Sequence, residues 1–536
     1  MKMKNKLLLN VDFGFYGWNP EVLHPEGRPV TAAMIYRYAE MLAKNGVDTM
    51  VVNPNTQRAW YPSKVVPTVL DGYVRGDREY AAGLNWGLAK WQGDPVEGAI
   101  DFLNAFLELK EAGIDWLAET AKACRRYGVT PWASIRMNDM HGNRRLKGHY
   151  ANCHLYDDER FRLKGMAVNP KNGTSSYNSA LNYGMREVRD YMFSMIREIV
   201  EDYDYDGLEL DFMRNPAICD PTATPETVAM ISAWIGEIRA LTEAKSSVNG
   251  RPYPLGLRVP GNIEMMKEIG LDVYGLIDAG LIDYICVADF VFCGWDSPID
   301  EIKEHVAGRC AVYGVTEACV NRVESYSPKL DRNLLRTPYN DAEYLRGAAA
   351  SQLALGADGI EVYNMFTADQ DGFEEIKAHY ELLPGIASAS NLRGEPKMYS
   401  LSTATGVCWY PPFEHTEQLP ATIDAGCRLR FRVPMLSEPD DAGLILRVNI
   451  VIDEIEDPPD IGVSFNNRWP DFNGVPTNMI PIPNGPITQY KKGHIAYGFT
   501  FAASLIKEGW NWIDVYNGSS GKGGFHIINM DIAVMR

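Results

Sequence analysis

The sequence lacks long apolar runs, paired cysteines and an excess of positive charge. No stretch approaches the 18 apolar residues that a membrane-spanning helix requires. The 52 Lys and Arg against 70 Asp and Glu give a formal net charge of −18, so phosphate backbones and anionic lipid surfaces repel the chain. We therefore expect no nucleic-acid binding and no membrane association. The 536 residues are 46% apolar and 23% charged, which is typical of a globular protein with an ample core.

The nine cysteines are odd in number and scattered along the chain. They form no Cys-x-x-Cys pair and have no histidine at ligand spacing, so each is expected to be a buried reduced thiol. The apolar run after the N-terminal lysines is too short for a secretory signal, and Asp12 interrupts it. The sequence thus predicts a cytoplasmic protein, or one whose signal has been removed.

Short apolar runs alternate with amphipathic helical stretches from residue 6 to about residue 385. We count eight strand-like runs, the first at Leu7–Asp12 and the last at Gly359–Tyr363. Parallel strands need helical crossovers, and eight strand–helix units close into a barrel. Residues 1–385 are therefore predicted to form a (β/α)8 TIM-type barrel of the α/β class. Residues 54–100 and 137–180 are expected to be long loops that carry function.

The pattern changes after about residue 386. Helical periodicity weakens, and alternating stretches such as Arg428–Val433 and Trp510–Tyr516 appear. Many short strands with turn signals between them favour a β-sandwich. Residues 386–536 are therefore predicted to form a β-sandwich domain with a supporting or carbohydrate-binding role.

Candidate reactive groups follow from the barrel, because chemistry in this fold lies at the C-terminal strand ends. Asp211 ends an apolar strand whose inward face also includes Glu209, by the period of two. Two carboxylates on one buried face repel each other unless a cation compensates, and Arg214 is close enough in sequence to do so. The alternative interpretation of Asp211 is a structural ion pair that closes the barrel.

A glycosidase needs two carboxyl groups at the scissile bond, one as acid and one as nucleophile or base. Asp211 is the candidate nucleophile or base, and Asp289 and Glu317 are the candidate acids. Asp289 is favoured because it follows an apolar strand and precedes Phe290 and Phe292, a setting that favours a protonated carboxyl group. Glu317 ends strand seven, across the barrel mouth from strand four.

The strand-four segment Tyr205–Pro216 resembles the signature of the glycosyl-hydrolase-like 10 family. It reads Tyr-Asp-Gly-Leu-Glu-Leu-Asp-Phe-Met-Arg-Asn-Pro, where the family pattern is Asp-Gly-Ile-His-Leu-Asp-Tyr-Ile-Arg-Tyr-Pro. Gly280–Asp289 resembles the same family's Gly-Leu-Ile-Asp-Tyr-Val strand. The resemblance implies a barrel that hydrolyses glycosides, with Asp211 as a catalytic carboxylate. Glu209 stands where the family has a histidine, and strand six lacks the family's Pro-Gln-x-Tyr ending.

Three arginines, Arg136, Arg214 and Arg258, end the consecutive strands three to five. Guanidinium groups bind carboxylate and sulfate bidentately, so we expect a sugar substrate that carries uronate or sulfate groups. The alternative is that each arginine pairs with a nearby carboxylate and binds no ligand. Other candidate substrate-binding residues are polar groups at strand ends or aromatic rings that stack on sugars, namely Asn138, His141, Glu209, Glu361, Trp18 and Trp60.

The sequence thus predicts a glycoside hydrolase that acts on an oligo- or polysaccharide by paired-carboxylate catalysis, with no cofactor and no metal. One alternative is a metal-dependent barrel lyase or isomerase whose strand-end carboxylates bind a hard cation. Another is a sugar-binding barrel without catalytic activity. The sequence leaves open whether the chain forms a homo-oligomer.

Overall fold

The computed structural model describes most of the chain. The described residues are 6–12, 31–82, 95–140, 142, 150–165, 180–213, 215–220, 224–261, 266–267, 270–288, 293–317, 342–363, 365, 380–401, 418–452, 459–471, 481–482, 485–486, 495–519 and 523–536. Eight parallel strands close into a barrel in the order of the chain, which confirms the predicted fold class. They are β1 (Lys6–Asp12), β2 (Thr49–Asn53), β3 (Thr130–Arg136), β4 (Leu208–Asp211), β5 (Leu255–Pro260), β6 (Tyr284–Ala288), β7 (Ala311–Glu317) and β8 (Gly359–Tyr363).

Helices follow or connect these strands. They are α1 (Ala32–Lys44), α2 (Arg78–Ala81), α3 (Pro95–Glu111), α4 (Trp116–Tyr127), α5 (Arg186–Asp202), α6 (Pro225–Asn249), α7 (Val273–Asp278), α8 (Ile299–Val306), α9 (Ala342–Ala354) and α10 (Ala389–Leu392). In α1 the buried side chains Met34, Ile35, Tyr38 and Leu42 recur at helical spacing, so one apolar stripe packs on the barrel. No helix among the described residues is long and apolar enough to cross a membrane.

The prediction of one loop over residues 54–100 was wrong, because α2 and the start of α3 lie within it. Residues 112–115 separate α3 from α4. Gly113 adopts a φ of +69° between them, a conformation that favours glycine and ends a helix. Asp115 then begins α4, where its side chain accepts hydrogen bonds from the backbone N–H groups of Leu117 and Ala118 at 3.1 and 3.2 Å.

Aromatic rings fill the N-terminal end of the barrel. The rings of Trp132 on β3 and Tyr284 on β6 stack with centroids 4.8 Å apart, and Tyr284 meets Tyr313 on β7 edge to face at 6.0 Å. A Cβ atom at Gly207 would lie 2.7 Å from the Trp132 ring, and one at Gly256 would overlap the Tyr284 ring. Small residues on neighbouring strands thus make room for large ones, so this end is closed by packing.

The C-terminal region forms two antiparallel sheets. One has the strand order β10 (Ala421–Ile423), β18 (Phe525–Met535), β12 (Ile445–Ile452) and β16 (Ile495–Ala502), with β9 (Lys397–Ser400) also paired to β18; the other has the order β11 (Arg428–Met435), β17 (Gly509–Asn517) and β13 (Ile461–Phe465). A separate two-stranded ribbon joins β14 (Pro481–Ile482) and β15 (Gly485–Pro486). Phe465 on β13 contacts Phe501 on β16 with ring centroids 5.9 Å apart. Packing between the two sheets agrees with the predicted β-sandwich; the boundary at residues 385/386 stays a prediction.

The sandwich contacts the barrel through helix α9 and strand β9. Gly347 lies directly against the backbone carbonyl of Met398, where a side chain would collide. On a second contact, the indole N–H of Trp510 donates to Asp300 Oδ2 at 2.7 Å. These contacts lie on the outer helices of the barrel and leave the strand ends to other segments.

We expect Gly256→Ala to lower the free energy of unfolding by about 1–3 kcal/mol, because the added methyl group overpacks the Tyr284 ring. Urea denaturation followed by tryptophan fluorescence measures the change. Gly236→Ala is the matched control: its Cβ would lie 3.9 Å from Leu281 within α6, so a gain of up to about 1 kcal/mol is expected. Equal stabilities of Gly256→Ala and the wild type would contradict the packing of Tyr284 against β5.

Candidate active site

A layer of charged side chains lies inside the barrel at the C-terminal strand ends. The strand register places these side chains at one level. Arg136 on β3 is the register partner of Asp211 on β4, and Asp211 is the register partner of Arg258 on β5. Residues that are register partners on neighbouring strands project to the same side of the sheet. The resulting layer, which we call the mouth cluster, contains Asp12, Arg136, Asp211, Arg258, Glu317 and Tyr363.

Arg258 is the hub of the mouth cluster. Its Nη1 lies 3.4 Å from Asp211 Oδ1, and its Nη2 donates to Glu317 Oε1. The guanidinium carbon lies 3.7 Å from the centroid of the Tyr363 ring, a cation–π contact in a desolvated setting. One cation thus joins carboxylates from β4 and β7, two strands that are distant in sequence.

Arg136 forms the second ion pair of the mouth cluster. Its guanidinium contacts Asp12 Oδ2 through Nη2 and lies 3.3 Å from Asp139 Oδ2 through Nη1. The same Nη2 lies 3.4 Å from the hydroxyl oxygen of Tyr363, so Tyr363 touches both arginines. Each of the two arginines is therefore neutralised by carboxylates within the protein.

Electrostatics agrees with this pairing. Burial by itself lowers the pKa of Arg258, but the carboxylates of Glu317 and Asp211 outweigh it and hold the pKa well above its ordinary value. Burial likewise lowers the pKa of Arg136, but the Asp12 carboxylate outweighs this effect, so the pKa is raised well above its ordinary value. Both guanidinium groups are therefore permanently charged and act as fixed counterions.

A second polar layer lies one step deeper in the barrel, where branched apolar residues are usual. We call it the inner cluster; it contains Asn10, Ser134, Glu209, Cys286 and Glu361. Glu209 Oε1 accepts hydrogen bonds from Asn10 Nδ2 at 2.9 Å and from Ser134 Oγ at 2.7 Å.

The inner cluster holds two fully buried carboxyl groups close together. Burial, the Glu361 carboxyl group and Asp211 raise the pKa of Glu209 well above its ordinary value. Burial also raises the pKa of Glu361, although the charge of Arg258 opposes the shift. The pKa of the Cys286 thiol is raised well above its ordinary value by burial and by both glutamates.

The inner cluster and most of the mouth cluster are shielded from solvent in this structure. Asp211 is 1% exposed, Arg258 0% and Glu317 5%, while the side chain of Asp12 is 18% exposed. The side chain of Asp211 points into the barrel at Arg258 and not into the surrounding helices. A surface pocket of the described residues lies elsewhere, between the segment after β2 and helices α3 and α4, where Trp60, Phe106 and Trp116 line it.

Two sequence-predicted binding residues lie outside both clusters. Trp60 packs edge to face on Phe102 of α3 with centroids 5.5 Å apart, so its ring fills the space between a loop and a helix. The Asn138 amide donates to the backbone carbonyls of Leu181 and Ala217 at 2.9 and 2.6 Å. Asn138 thus connects two loop segments to the end of β3. Both of its amide hydrogens are bound within the protein and do not serve a substrate.

Four other predicted residues lie outside the described part of the chain: Trp18, His141, Arg214 and Asp289. The structure brings together Arg136, Asp211, Arg258 and Glu317 in the mouth cluster, and Glu209 and Glu361 in the layer beneath.

Sequence reasoning missed Asn10, Ser134, Cys286 and Tyr363 as members of the site. The period of two was the signal that could have found them, because each lies two positions from another inward-facing residue of its strand. Asn10 precedes Asp12 by two positions, and Tyr363 follows Glu361 by two. The chemical type of these residues concealed them, since a lone Asn, Ser, Cys or Tyr in an apolar strand reads as core.

Comparisons with known proteins return distant structural similarity only. No protein-family model matches the chain, and no curated protein matches it in sequence. The chain is similar to α-L-fucosidase isoenzyme 2 from Paenibacillus thiaminolyticus (14% identity, 73% of this chain and 49% of that chain, TM-score 0.40). It thus spans about half the length of that fucosidase chain.

Two further solved structures are similar to this chain at the same level. One is the PgaB (BpsB) glycoside hydrolase domain from Bordetella bronchiseptica, with 10% identity, 72% of this chain and 98% of that chain, and a TM-score of 0.39. The other is an α-L-fucosidase from Vibrio sp. strain EJY3, with 11% identity, 99% and 96% coverage, and a TM-score of 0.38. These similarities do not test the resemblance to the glycosyl-hydrolase-like 10 family. That resemblance rests only on the sequence motifs of strands four and six.

We expect Arg258→Met to destabilise the protein by about 3–5 kcal/mol, because Asp211 and Glu317 would lose their shared buried counterion. Urea denaturation at neutral pH measures the loss. Arg186→Met is the control, since Arg186 pairs with Asp190 while 83% exposed, and its removal should change stability by less than about 1 kcal/mol. A loss for Arg258→Met no larger than the control would show that Arg258 does not hold the mouth cluster together.

Proposed function

We propose that this protein is a glycoside hydrolase that cleaves an O-glycosidic bond of an oligo- or polysaccharide, with Asp211 as a catalytic carboxylate. The observation that carries the proposal is the pair Asp211 and Glu317, which share Arg258 inside the C-terminal end of the barrel. Glycosidic cleavage needs one carboxylate as nucleophile or base and a second carboxyl group as acid. The pair supplies the first group in Asp211 and one candidate for the second in Glu317.

The energetic cost of the mouth cluster supports a functional role. Taking a charged group out of water costs several kcal/mol even after relaxation, and a well-packed apolar core would be as stable or more so. The N-terminal end of the same barrel is closed by aromatic packing of Trp132, Tyr284 and Tyr313. Charge is concentrated at the C-terminal end, where the catalytic groups of this fold lie.

The roles of the carboxyl groups follow from their neighbours. Arg258 is the counterion that Asp211 and Glu317 share, and a carboxylate acts as nucleophile or base, not as acid. We therefore assign the attacking role to Asp211 and the orientation of Arg258 to Glu317. Asp289, which directly follows the last residue of β6, is then the preferred general acid, and Glu317 is the alternative.

The substrate assigned to this centre is a neutral sugar. Arg136 contacts Asp12 and Asp139, and Arg258 contacts Asp211 and Glu317. Binding a uronate or sulfate at either guanidinium would require breaking an internal pair and leaving a buried carboxylate without its counterion. A substrate screen should therefore test neutral saccharides first and saccharides with sulfate or uronate groups second.

A metal-dependent lyase or isomerase fits the mouth cluster less well. A hard cation would have to bind Asp211 and Glu317 together. The guanidinium group of Arg258 already occupies the place between them.

Asp211→Asn is expected to lower kcat on the best substrate of a polysaccharide panel by roughly a thousandfold, because the amide cannot attack or accept a proton. Reducing-sugar release from neutral and anionic polysaccharides measures activity. Asp158→Asn serves as control, since Asp158 is an exposed residue paired with Arg160, and its activity should equal that of the wild type. Hydrolysis by Asp211→Asn at the wild-type rate would refute the proposal.

Substrates with activated leaving groups distinguish the candidate acids. Loss of the general acid slows cleavage of a sugar leaving group but spares an aryl leaving group that departs without protonation. Asp289→Asn should therefore retain most of its activity on dinitrophenyl glycosides and lose it on oligosaccharides. If Glu317→Gln shows this selective loss and Asp289→Asn does not, Glu317 is the acid.

A further inference from the structure

The inner cluster has a composition that glycosidic cleavage does not require. One ligand atom from each of Glu209, Cys286 and Glu361 lies within 4.8 Å of the other two, and all three residues are buried. The proposed roles of Asp211, Glu317 and Asp289 use none of these atoms. A thiol and two carboxyl groups that lie buried within 4.8 Å of one another therefore need an explanation of their own.

Several polar atoms of the inner cluster have no hydrogen-bond partner. They are both carboxyl oxygens of Glu361, Oε2 of Glu209 and the amide oxygen of Asn10. Asn10 is 1% exposed, and its amide nitrogen is bound to Glu209 Oε1, so its amide group is directed into the cluster. Buried polar atoms in folded proteins almost always have a partner in the protein, in water or in a bound ion. Four buried acceptor atoms without a hydrogen-bond donor, on three neighbouring side chains, therefore indicate a site for a cation.

Protein donors do not fill this need. Arg258 Nε lies 3.8 Å from Glu361 Oε1, beyond hydrogen-bond distance, while its Nη atoms serve Asp211 and Glu317. Asn10 and Ser134 each donate one hydrogen bond to the same oxygen of Glu209, which leaves the second amide hydrogen of Asn10 and the thiol hydrogen of Cys286 as the donors beside Glu361. One thiol hydrogen from Cys286 can satisfy one acceptor at most.

We propose that the inner cluster is a metal site that binds one zinc-type divalent cation through Glu209, Cys286, Glu361 and the amide oxygen of Asn10. On binding, Cys286 releases its thiol proton to solvent, and any proton held by Glu209 or Glu361 is released as well, so that both glutamates bind as carboxylates. One thiolate and three oxygens suit a tetrahedral zinc ion, because thiolate selects zinc over calcium and magnesium. Tetrahedral coordination brings the donor atoms to roughly 3.4–3.7 Å from one another, so the four side chains draw together slightly.

The metal connects four strands of the barrel. Asn10 lies on β1, Glu209 on β4, Cys286 on β6 and Glu361 on β8. The site is one layer below the mouth cluster, so the ion stabilises the strands that carry Asp211 and Tyr363 without contacting a substrate. It is a structural site, and its existence does not depend on the proposed hydrolase activity.

Metal analysis of the full chain tests the proposal. The protein is unfolded in chelator, refolded with Zn2+, Mn2+ or Ca2+, dialysed, and assayed by mass spectrometry for bound metal. We expect one zinc ion per chain and a higher Tm than in the metal-free protein. Glu361→Gln and Cys286→Ser should each weaken zinc binding by roughly tenfold or more. The control Cys124→Ser alters a buried cysteine that contacts Met50 and should bind zinc as the wild type does.

Cobalt provides a readout specific to the thiolate ligand. The Co2+-loaded wild type and Cys124→Ser should show an ultraviolet thiolate-to-metal charge-transfer band, and Cys286→Ser should lack it. Should Cys286→Ser fail to fold by circular dichroism, the metal content of Glu361→Gln decides. A refolded wild type that binds none of the three metals, or zinc binding that survives both substitutions, would overturn the proposal and leave Glu209 and Glu361 as protonated acids.

Discussion

The buried ion pairs of Arg258 are the interaction on which the rest of the site depends. Its guanidinium group contacts carboxylates on β4 and β7 and stacks on Tyr363 of β8. Each carboxylate would be costly to bury without this cation. The closed barrel supplies the geometry, because only a sheet that returns on itself brings β4 and β7 across from each other at one end. Arg258 therefore sets the position and the charge of the groups that we assign to catalysis.

The barrel interior changes character along its axis. Aromatic rings packed against glycines close the N-terminal end, the inner cluster forms a polar layer, and the mouth cluster forms a charged layer. The two ends of the barrel therefore have different roles. Packing at one end supplies stability, and that stability allows the other end to hold buried charges that by themselves would destabilise the protein. A metal ion in the middle layer would join the two, since its ligands come from four strands.

The strands were predictable because their signal is local. Alternation and apolar runs located β8 at its observed bounds, Gly359–Tyr363, and the other barrel strands to within about two residues. Side-chain pairing was not predictable, because Arg258 and Glu317 are 59 positions apart and several carboxylates competed for each arginine. Trp60 was interpreted as a sugar platform because it lies in the predicted loop 54–100; its packing partner Phe102 lies beyond that segment, on α3.

The proposed function requires that a saccharide binds beside Asp211 at the C-terminal end of the barrel. A crystal structure of the wild-type protein with a non-hydrolysable thio-linked analogue of its best substrate tests it most directly. We expect the sulfur of the analogue's scissile linkage to lie beside Asp211, with Arg258 still bound to Glu317. A saccharide bound elsewhere, for example beside Trp60, would contradict the proposed function.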